Sequence, residues 1–268
     1  MGTMGTIKAL CISEKKGTLK TSIHKALFHT EWGMVGDALA EIEEFRRRGV
    51  DVKFGAFGEN IVAEGFHFKD LPIGTRLRAG NVWLEITQIG KECHKSCAIR
   101  SQVGDCIMPR EGVFARVLHG GWLEEGDKLE IVTEKMPLDA AIITASDKGS
   151  KGLREDTSGA KVQEMLEAAG YTVAEKIILP DEQEDIAHKM RSFGDLGIAL
   201  VVTTGGTGFS VRDVTPEATI SVCERLTPGI PEAMRALSMQ VTHRAILSRA
   251  QAGIYKRTLI VNLPGSRK

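Results

Sequence analysis

Ile198-Ala199-Leu200-Val201-Val202 runs directly into Thr203-Thr204-Gly205-Gly206-Thr207-Gly208, and after a three-residue spacer come Arg212-Asp213-Val214-Thr215-Pro216-Glu217. The first five residues are an apolar, β-branched run of the kind that forms a fully buried strand. Thr215 has the chemistry of a helix N-cap, Pro216 suits the first helical position and Glu217 the first turn. The stretch therefore predicts a strand, a glycine loop and a helix start. Glycines let backbone N–H groups approach a ligand closely, and a helix N-terminus favours negative charge. Thr204, Gly205, Gly206, Thr207 and Gly208 are thus candidates to hold phosphate. A glycine-rich turn without a ligand has the same local pattern. Asp213 distinguishes the two, because a carboxylate beside an anion is repulsive unless a divalent cation lies between them.

Outward from this stretch, strands and helices alternate. Ala140–Thr144 reads as a strand, 146–158 as a polar loop, and Val162, Met165, Leu166 and Ala169 as a helix face stopped by Gly170. Val173–Leu179 is a second strand, Ile186–Phe193 a second helix, and Thr215 to about Met239 spans two helices. Thr258–Leu263 is the last strand, broken by Pro264-Gly265. The pattern predicts a three-layer α/β domain with a mainly parallel sheet over 140–268. Ligands in such sheets sit beyond the carboxyl ends of the strands. Ser146-Asp147, Pro180-Asp181, Gly205–Gly208 and Asn262–Gly265 fall at those ends. No Gly-x4-Gly-Lys-Ser/Thr occurs, and no Gly-x-Gly-x-x-Gly follows a first strand. His188 and His243 lie in helical segments and read as structural; Arg212 reads equally as a phosphate clamp or an ordinary surface arginine.

Residues 1–135 have a different texture. Short strands and glycines dominate, with Ile7–Ile12, Val82–Thr87 and Lys128–Val132 as strands and Gly74–Gly80 as turn, strand and turn. One helix is expected over Leu39–Arg48, stopped by Gly49. This is a mostly-β, barrel-like domain, joined to the second by the short link Glu134–Asp139. Its chemical feature is Gly90-Lys91-Glu92-Cys93-His94-Lys95-Ser96-Cys97, with Cys106 nine residues on. Zinc ligation, buried inert thiols and a reactive thiol are the three readings. Lys91 and Lys95, with Arg100 and Arg110, favour the third, since cations lower a thiol pKa.

The chain has 268 residues, with 35 Lys plus Arg against 35 Asp plus Glu, so no basic surface points to nucleic acid or membrane. No apolar run approaches the ~18 residues needed to span a bilayer. The N-terminus lacks a signal pattern and five cysteines argue against a disulfide framework, which predicts a soluble, cytoplasmic protein.

Both halves resemble known families. Phe57–Ile61, Leu71–Thr75, Lys91–Cys97, Met108–Val117 and Gly126-Asp127 together resemble a MOSC domain, a β-barrel module of molybdenum-cofactor sulfurases and related proteins. The resemblance implies a functional cysteine that carries sulfur or a molybdenum species, with Cys97 the first match and Cys93 the second, and molybdate or the molybdenum cofactor as ligand. After Ala38 the family pattern runs through a His- and Arg-containing segment, whereas here Leu39 begins the expected helix. Ser146-Asp147, 156–159, 180–182, 203–208, 212–218, 247–249 and 262–266 resemble, in order, the molybdopterin adenylyltransferase family of Mog/MoaB type. That resemblance implies AMP transfer from ATP to molybdopterin, with Asp181 and Asp213 as catalytic Mg2+ ligands. It places Ser146, Asp147, Asn262, Pro264, Gly265 and Ser266 on the substrate rim. It also implies homo-oligomers, trimers or their multiples, and a further helix after Ser266 that this sequence does not include. A non-catalytic pterin carrier or scaffold is the alternative reading.

Overall fold

The computed structural model describes residues 4–13, 20–30, 58–90, 112–134, 136 and 138–265. The chain divides into two compact units, Met1–Lys135 and Met136–Lys268.

The first unit holds strands β1 (Met4–Ile12), β2 (Thr21–Ile23), β3 (Lys25–Phe28), β4 (Ile61–Glu64), β5 (Arg76–Ala79), β6 (Val82–Ile89), β7 (Val113–His119), β8 (Gly121–Glu124) and β9 (Lys128–Val132). One sheet runs β2-β1-β9-β5-β6-β7 with β4 also on β1, and β3 pairs with β8 as a ribbon. Every pairing is antiparallel, as short strands joined by tight turns require. Ile7, Leu10, Leu77, Ile86, Leu123 and Leu129 fill the inside of this half-barrel, all fully buried. The Gly58–Ile61 segment ties β1 to β4: Asn60 Nδ2 donates to the Cys11 carbonyl at 2.9 Å and Cys11 N–H to the Asn60 carbonyl at 2.8 Å. Gly126-Asp127 forms the β8–β9 turn, where Asp127 accepts the Glu124 N–H at 2.8 Å. The helix expected over Leu39–Arg48 lies outside the described residues.

The second unit holds β10 (Asp139–Ala145), α1 (Asp147–Ser150), α2 (Thr157–Ala168), β11 (Thr172–Leu179), α3 (Gln183–Leu196), β12 (Leu200–Thr204), α4 (Thr215–Val222), β13 (Arg225–Leu226), α5 (Gly229–Met239), β14 (Ala252–Tyr255) and β15 (Thr258–Leu263). The sheet order is β11-β10-β12-β15-β14-β13, parallel from β11 through β15 and antiparallel beyond. Alternation along β10 produces the layers. Ala141, Ile143 and Ala145 pack with Ile186, Met190 and Phe193 of α3 and Ala218 and Val222 of α4. Thr144, on the other face, donates to Asp156 at the start of α2 at 2.9 Å. Among the described residues no helix is long and apolar enough to cross a membrane.

Four local expectations are corrected. The 146–158 segment is not all loop, because Ser146 caps the short helix α1 and Asp156 caps α2. The motif strand covers 200–204 rather than 198–202, since Ile198 N–H closes the end of α3 on the Phe193 carbonyl at 3.1 Å after left-handed Gly197. Val214, not Thr215, is the cap residue of α4, and Thr215 is the first helical residue. Finally, β13 lies inside the stretch expected as two helices, and β14 extends the sheet where no strand was expected.

Candidate functional site

Register brings the loops together. Ala145 is paired with Leu179, Thr144 with Thr204, and Thr204 with Leu263, so the four parallel strands end in one rank. The segments leaving that rank are Ser146-Asp147, Pro180-Asp181, Gly205–Gly208 and Pro264-Gly265. Strand β10 connects onward to β11 on one side while β12 lies on its other side. The strand order therefore reverses between β10 and β12, the kind of position at which ligands bind in such sheets.

The glycine loop is shaped by contacts that exclude side chains. Gly205 has φ +93°, and a Cβ there would stand 2.4 Å from the Ala145 carbonyl oxygen. Gly206 has φ +61°, and a Cβ there would stand 2.3 Å from Thr215 Oγ1 and 3.2 Å from Asp181 Oδ1. The Gly206 carbonyl accepts the Thr215 N–H at 3.1 Å, and the Thr207 carbonyl accepts the Arg249 N–H at 2.9 Å. The N–H groups of Gly206, Thr207, Gly208 and Phe209 find no acceptor among the described residues. Thr215 Oγ1 is buried without a partner at the same place.

Asp147 and Asp181 lock two of the loops. Asp181 Oδ2 accepts the Asp147 N–H at 2.9 Å and Asp147 Oδ1 accepts the Asp181 N–H at 3.1 Å. Arg212 lies across them, with Nε and Nη2 on the two Asp147 oxygens at 3.1 and 2.8 Å and Nη1 on Glu182 at 2.9 Å. The Arg212 hydrogen bonds hold the Asp147 carboxyl below the ordinary carboxylate range. Burial pushes Asp181 up, reinforced by the charges of Asp147 and Asp213 and opposed by the Asp147 N–H and by Arg212. Asp213 Oδ2 accepts the Ser210 N–H at 2.8 Å, so its carboxylate closes the loop that follows Gly208.

The signs of these two shifts are opposite in their linkage to folding. Asp181, raised in the fold, contributes stability below its unfolded value and loses it as pH rises through the folded one. Asp147, depressed in the fold, contributes above its unfolded value and loses it as pH falls through the folded one. Arg212→Met is therefore expected to raise the titration midpoints of both Asp147 and Asp181, followed by carboxyl carbon shifts against pH. An unmoved Asp147 midpoint would show that Arg212 does not set it.

Of the residues expected on the rim, the structure gathers Asp147, Asp181, Gly205, Gly206 and Gly265, with a Cβ on Gly265 only 3.2 Å from Gly205 Cα. The Ser146 hydroxyl is committed to capping α1, accepting the Gly149 N–H at 3.0 Å. Thr204 is buried, with its hydroxyl 3.4 Å from the Pro264 carbonyl. Asn262 is not a rim residue. It is fully buried, donating to Thr203 Oγ1 at 3.0 Å and Thr219 Oγ1 at 2.8 Å and accepting the Gln251 N–H at 3.1 Å. Alternation along β15 turns its side chain into the layer with α4 rather than up to solvent. Asn262→Ala strands those partners and is expected to cost about 2–4 kcal/mol in a denaturant titration. A loss of ligand affinity at unchanged stability would instead return Asn262 to the rim. Ser266, Cys93 and Cys97 lie outside the described residues.

Two described cysteines are unsuited to thiol chemistry. Burial first, and then Glu59, push Cys11 up to about 11, and burial likewise pushes Cys223 up to about 11. A residue whose role sequence patterning did not reveal is Arg249. Its Nε donates to the Gly208 carbonyl at 2.7 Å, and its two terminal nitrogens reach Glu217 and the Asp213 carbonyl.

The residues present fit a Mg2+–phosphate pair. Asp213 lies close enough for its charge to act on Asp181, and Asp181 Oδ1 faces Gly206, next to the N–H groups that lack an acceptor among the described residues. Among the described residues no three His, Cys, Asp or Glu side chains cluster as a metal cage. Mg2+ characteristically takes one or two carboxylates and completes its shell with water and substrate phosphate.

Both halves of the chain match known families. Residues 141–268 match the family described as the probable molybdopterin binding domain, and residues 22–130 match the MOSC domain. A molybdopterin adenylyltransferase of Helicobacter pylori is 45% identical over 130 residues, 47% of this chain and 74% of that protein. The molybdopterin adenylyltransferase of Escherichia coli is 41% identical over 130 residues, 47% of this chain and 67% of that protein. Among solved structures, the molybdopterin biosynthesis enzyme MoaB of Thermus thermophilus is 43% identical and covers 48% of this chain and 82% of that one, with a TM-score of 0.46. The chain thus belongs, through its C-terminal half, to the molybdopterin-binding family that includes the molybdopterin adenylyltransferases, and it carries a MOSC domain in its N-terminal half.

Proposed function

We propose that the C-terminal unit transfers AMP from ATP to the terminal phosphate of molybdopterin and releases pyrophosphate. The observation that carries this reading is the run of N–H groups from Gly206 to Phe209 that have no acceptor among the described residues, flanked by the carboxylates of Asp181 and Asp213. A terminal phosphate oxygen of molybdopterin attacks the α-phosphorus of ATP. The bond from that phosphorus to the oxygen bridging the β-phosphate breaks, and pyrophosphate leaves with the electron pair. No proton has to be abstracted from an ionised phosphate, so positioning and charge neutralisation are what the protein supplies.

The N–H groups of the loop and the Thr207 hydroxyl hold phosphate oxygens at no reorganisation cost, because Gly205 and Gly206 are already fixed in left-handed backbone. Asp181 and Asp213 would hold Mg2+, which would supply charge neutralisation for the leaving pyrophosphate. Asp147, through Arg212, holds the Pro180-Asp181 and Arg212-Asp213 loops in mutual register. The test is pyrophosphate release from Mg-ATP by the full chain, with and without molybdopterin. Release that depends on molybdopterin supports the enzyme; tight pterin binding without release makes the chain a carrier and overturns the catalytic reading.

For the MOSC half we propose that Cys97 carries sulfur or a molybdenum species. The support is the resemblance of the segment around it and the cations Lys91 and Lys95 beside it in sequence. Cys97→Ser is expected to abolish labelling of this half by a persulfide donor while adenylylation continues. Labelling that survives the substitution moves the role to Cys93 or elsewhere.

A further inference from the structure

Arg249 is not among the expected rim residues, yet its backbone N–H and its side chain both hold carbonyls of the glycine loop. Three peptide units in succession have their carbonyls taken on the protein side. The Gly206 carbonyl is held by Thr215 N–H, the Thr207 carbonyl by Arg249 N–H, and the Gly208 carbonyl by Arg249 Nε at 3.1, 2.9 and 2.7 Å. None of the peptide bonds described is cis. In a planar trans peptide the N–H of the next residue points opposite to the carbonyl. Fixing these carbonyls therefore turns the N–H groups of Thr207, Gly208 and Phe209 the other way, and these are groups without an acceptor among the described residues.

The arginine is itself held rigidly. Arg235 of α5 donates to the carbonyls on both sides of it, Ser248 at 3.4 Å and Ala250 at 3.2 Å. Its guanidinium spans the Asp213 carbonyl and the Glu217 carboxylate in the first turn of α4. One side chain thus joins the glycine loop, the backbone of the Asp213 position and the helix that follows. A planar fork with several fixed donors suits this task, and a lysine ammonium does not.

We propose that Arg249 is the positioning residue of the phosphate loop, setting the direction of the Gly208 and Phe209 N–H groups and the place of Asp213 without touching substrate itself. This rests on the reading of that loop as a phosphate cradle.

The experiment compares the full chain with Arg249→Lys in three readouts: thermal unfolding, hydrogen exchange of the 206–214 segment, and calorimetric binding of magnesium pyrophosphate. Losing two loop hydrogen bonds is expected to weaken pyrophosphate binding about 10–30-fold. Exchange should quicken in 206–214 while the strands of the same sheet stay protected. A global loss of protection marks a merely structural role and overturns the proposal. So does a folded Arg249→Lys chain with unchanged exchange in that segment, or with unchanged pyrophosphate affinity. If Arg249→Lys does not fold, Glu217→Gln loosens one arm of the fork and should move exchange and affinity in the same direction by less; if both variants unfold, Arg249 is a folding residue and the proposal fails. A wild-type chain that binds no pyrophosphate sinks the cradle reading instead, an outcome separate from a variant that binds as well as wild type.

Discussion

Asp213→Asn is expected to lower molybdopterin-dependent pyrophosphate release by about 10^3-fold in kcat/KM, the scale expected when a transition-state charge loses its stabilising group. The thermal midpoint stays where it was. The reason is that the two roles of this side chain separate on substitution. As a loop closure, Asp213 needs only an oxygen to accept the Ser210 N–H at 2.8 Å, and an asparagine has one. As a metal ligand it needs a negative charge next to Asp181, and the amide has none. The same substitution should relieve Asp181, whose carboxyl is pushed up partly by the Asp213 charge, so its titration midpoint falls toward the ordinary value. Turnover that survives Asp213→Asn in full would remove the metal-site assignment, whatever happened at Asp181.

Gly205→Ala should destabilise the C-terminal unit by about 3 kcal/mol, a drop of about 10 °C in its melting transition. Its φ of +93° is strained for any side chain, and the added Cβ would stand 2.4 Å from the Ala145 carbonyl oxygen. That neighbour is backbone of a central strand, so it cannot rotate away as a side chain would. Gly152 provides the control. It also has positive φ, at +71°, but a Cβ there meets nothing within 4 Å. Gly152→Ala should therefore cost only the backbone term, about 1 kcal/mol. Equal melting shifts for the two variants would show that the close approach of the Gly205 loop to β10 is not what demands glycine. With phosphate binding as a second readout, Gly205→Ala should lose affinity, since the loop cannot keep its shape, whereas Gly152→Ala should not.

Much of the architecture was legible because it is written in local chemistry. Val173–Leu179 and Thr258–Leu263 are β-branched runs between turn residues, and they emerged within a residue of the strands observed. The helix over Thr157–Ala168 was legible from spacing, but its expected face was not: Met165 is exposed and Ala169 is the exposed C-cap. Errors fell where a neighbour distant in sequence set the outcome. Thr203 and Thr204 look like loop residues next to Gly205. They are strand because they pair with Ile143 and Thr144 of β10 and with Asn262 and Leu263 of β15, and Asn262, 59 residues away from Thr203, also satisfies the Thr203 hydroxyl in the interior. Asn262 in turn looked like a rim ligand for the converse reason: its position next to Leu263-Pro264-Gly265 is visible in the sequence, while the direction of its side chain is not.

Local chemistry along the chain dictates which residue types are available at the carboxyl ends of the strands: glycines able to take positive φ, acids able to bear a cation, and a Pro-led helix start. Those are properties of single residues and their near neighbours, which local sterics and hydrogen bonding dictate. Tertiary structure alone decided what each one does there. The parallel register of β10, β11, β12 and β15 brings Asp147 and Asp181 into reciprocal contact across 34 residues and sets Arg212 over Asp147 across 65. It buries Asn262, and it delivers Arg249 to the carbonyls of a loop 41 residues earlier. Such pairings depend on which strands lie side by side, and no pattern within either segment encodes a partner that only the closed sheet brings within hydrogen-bonding distance.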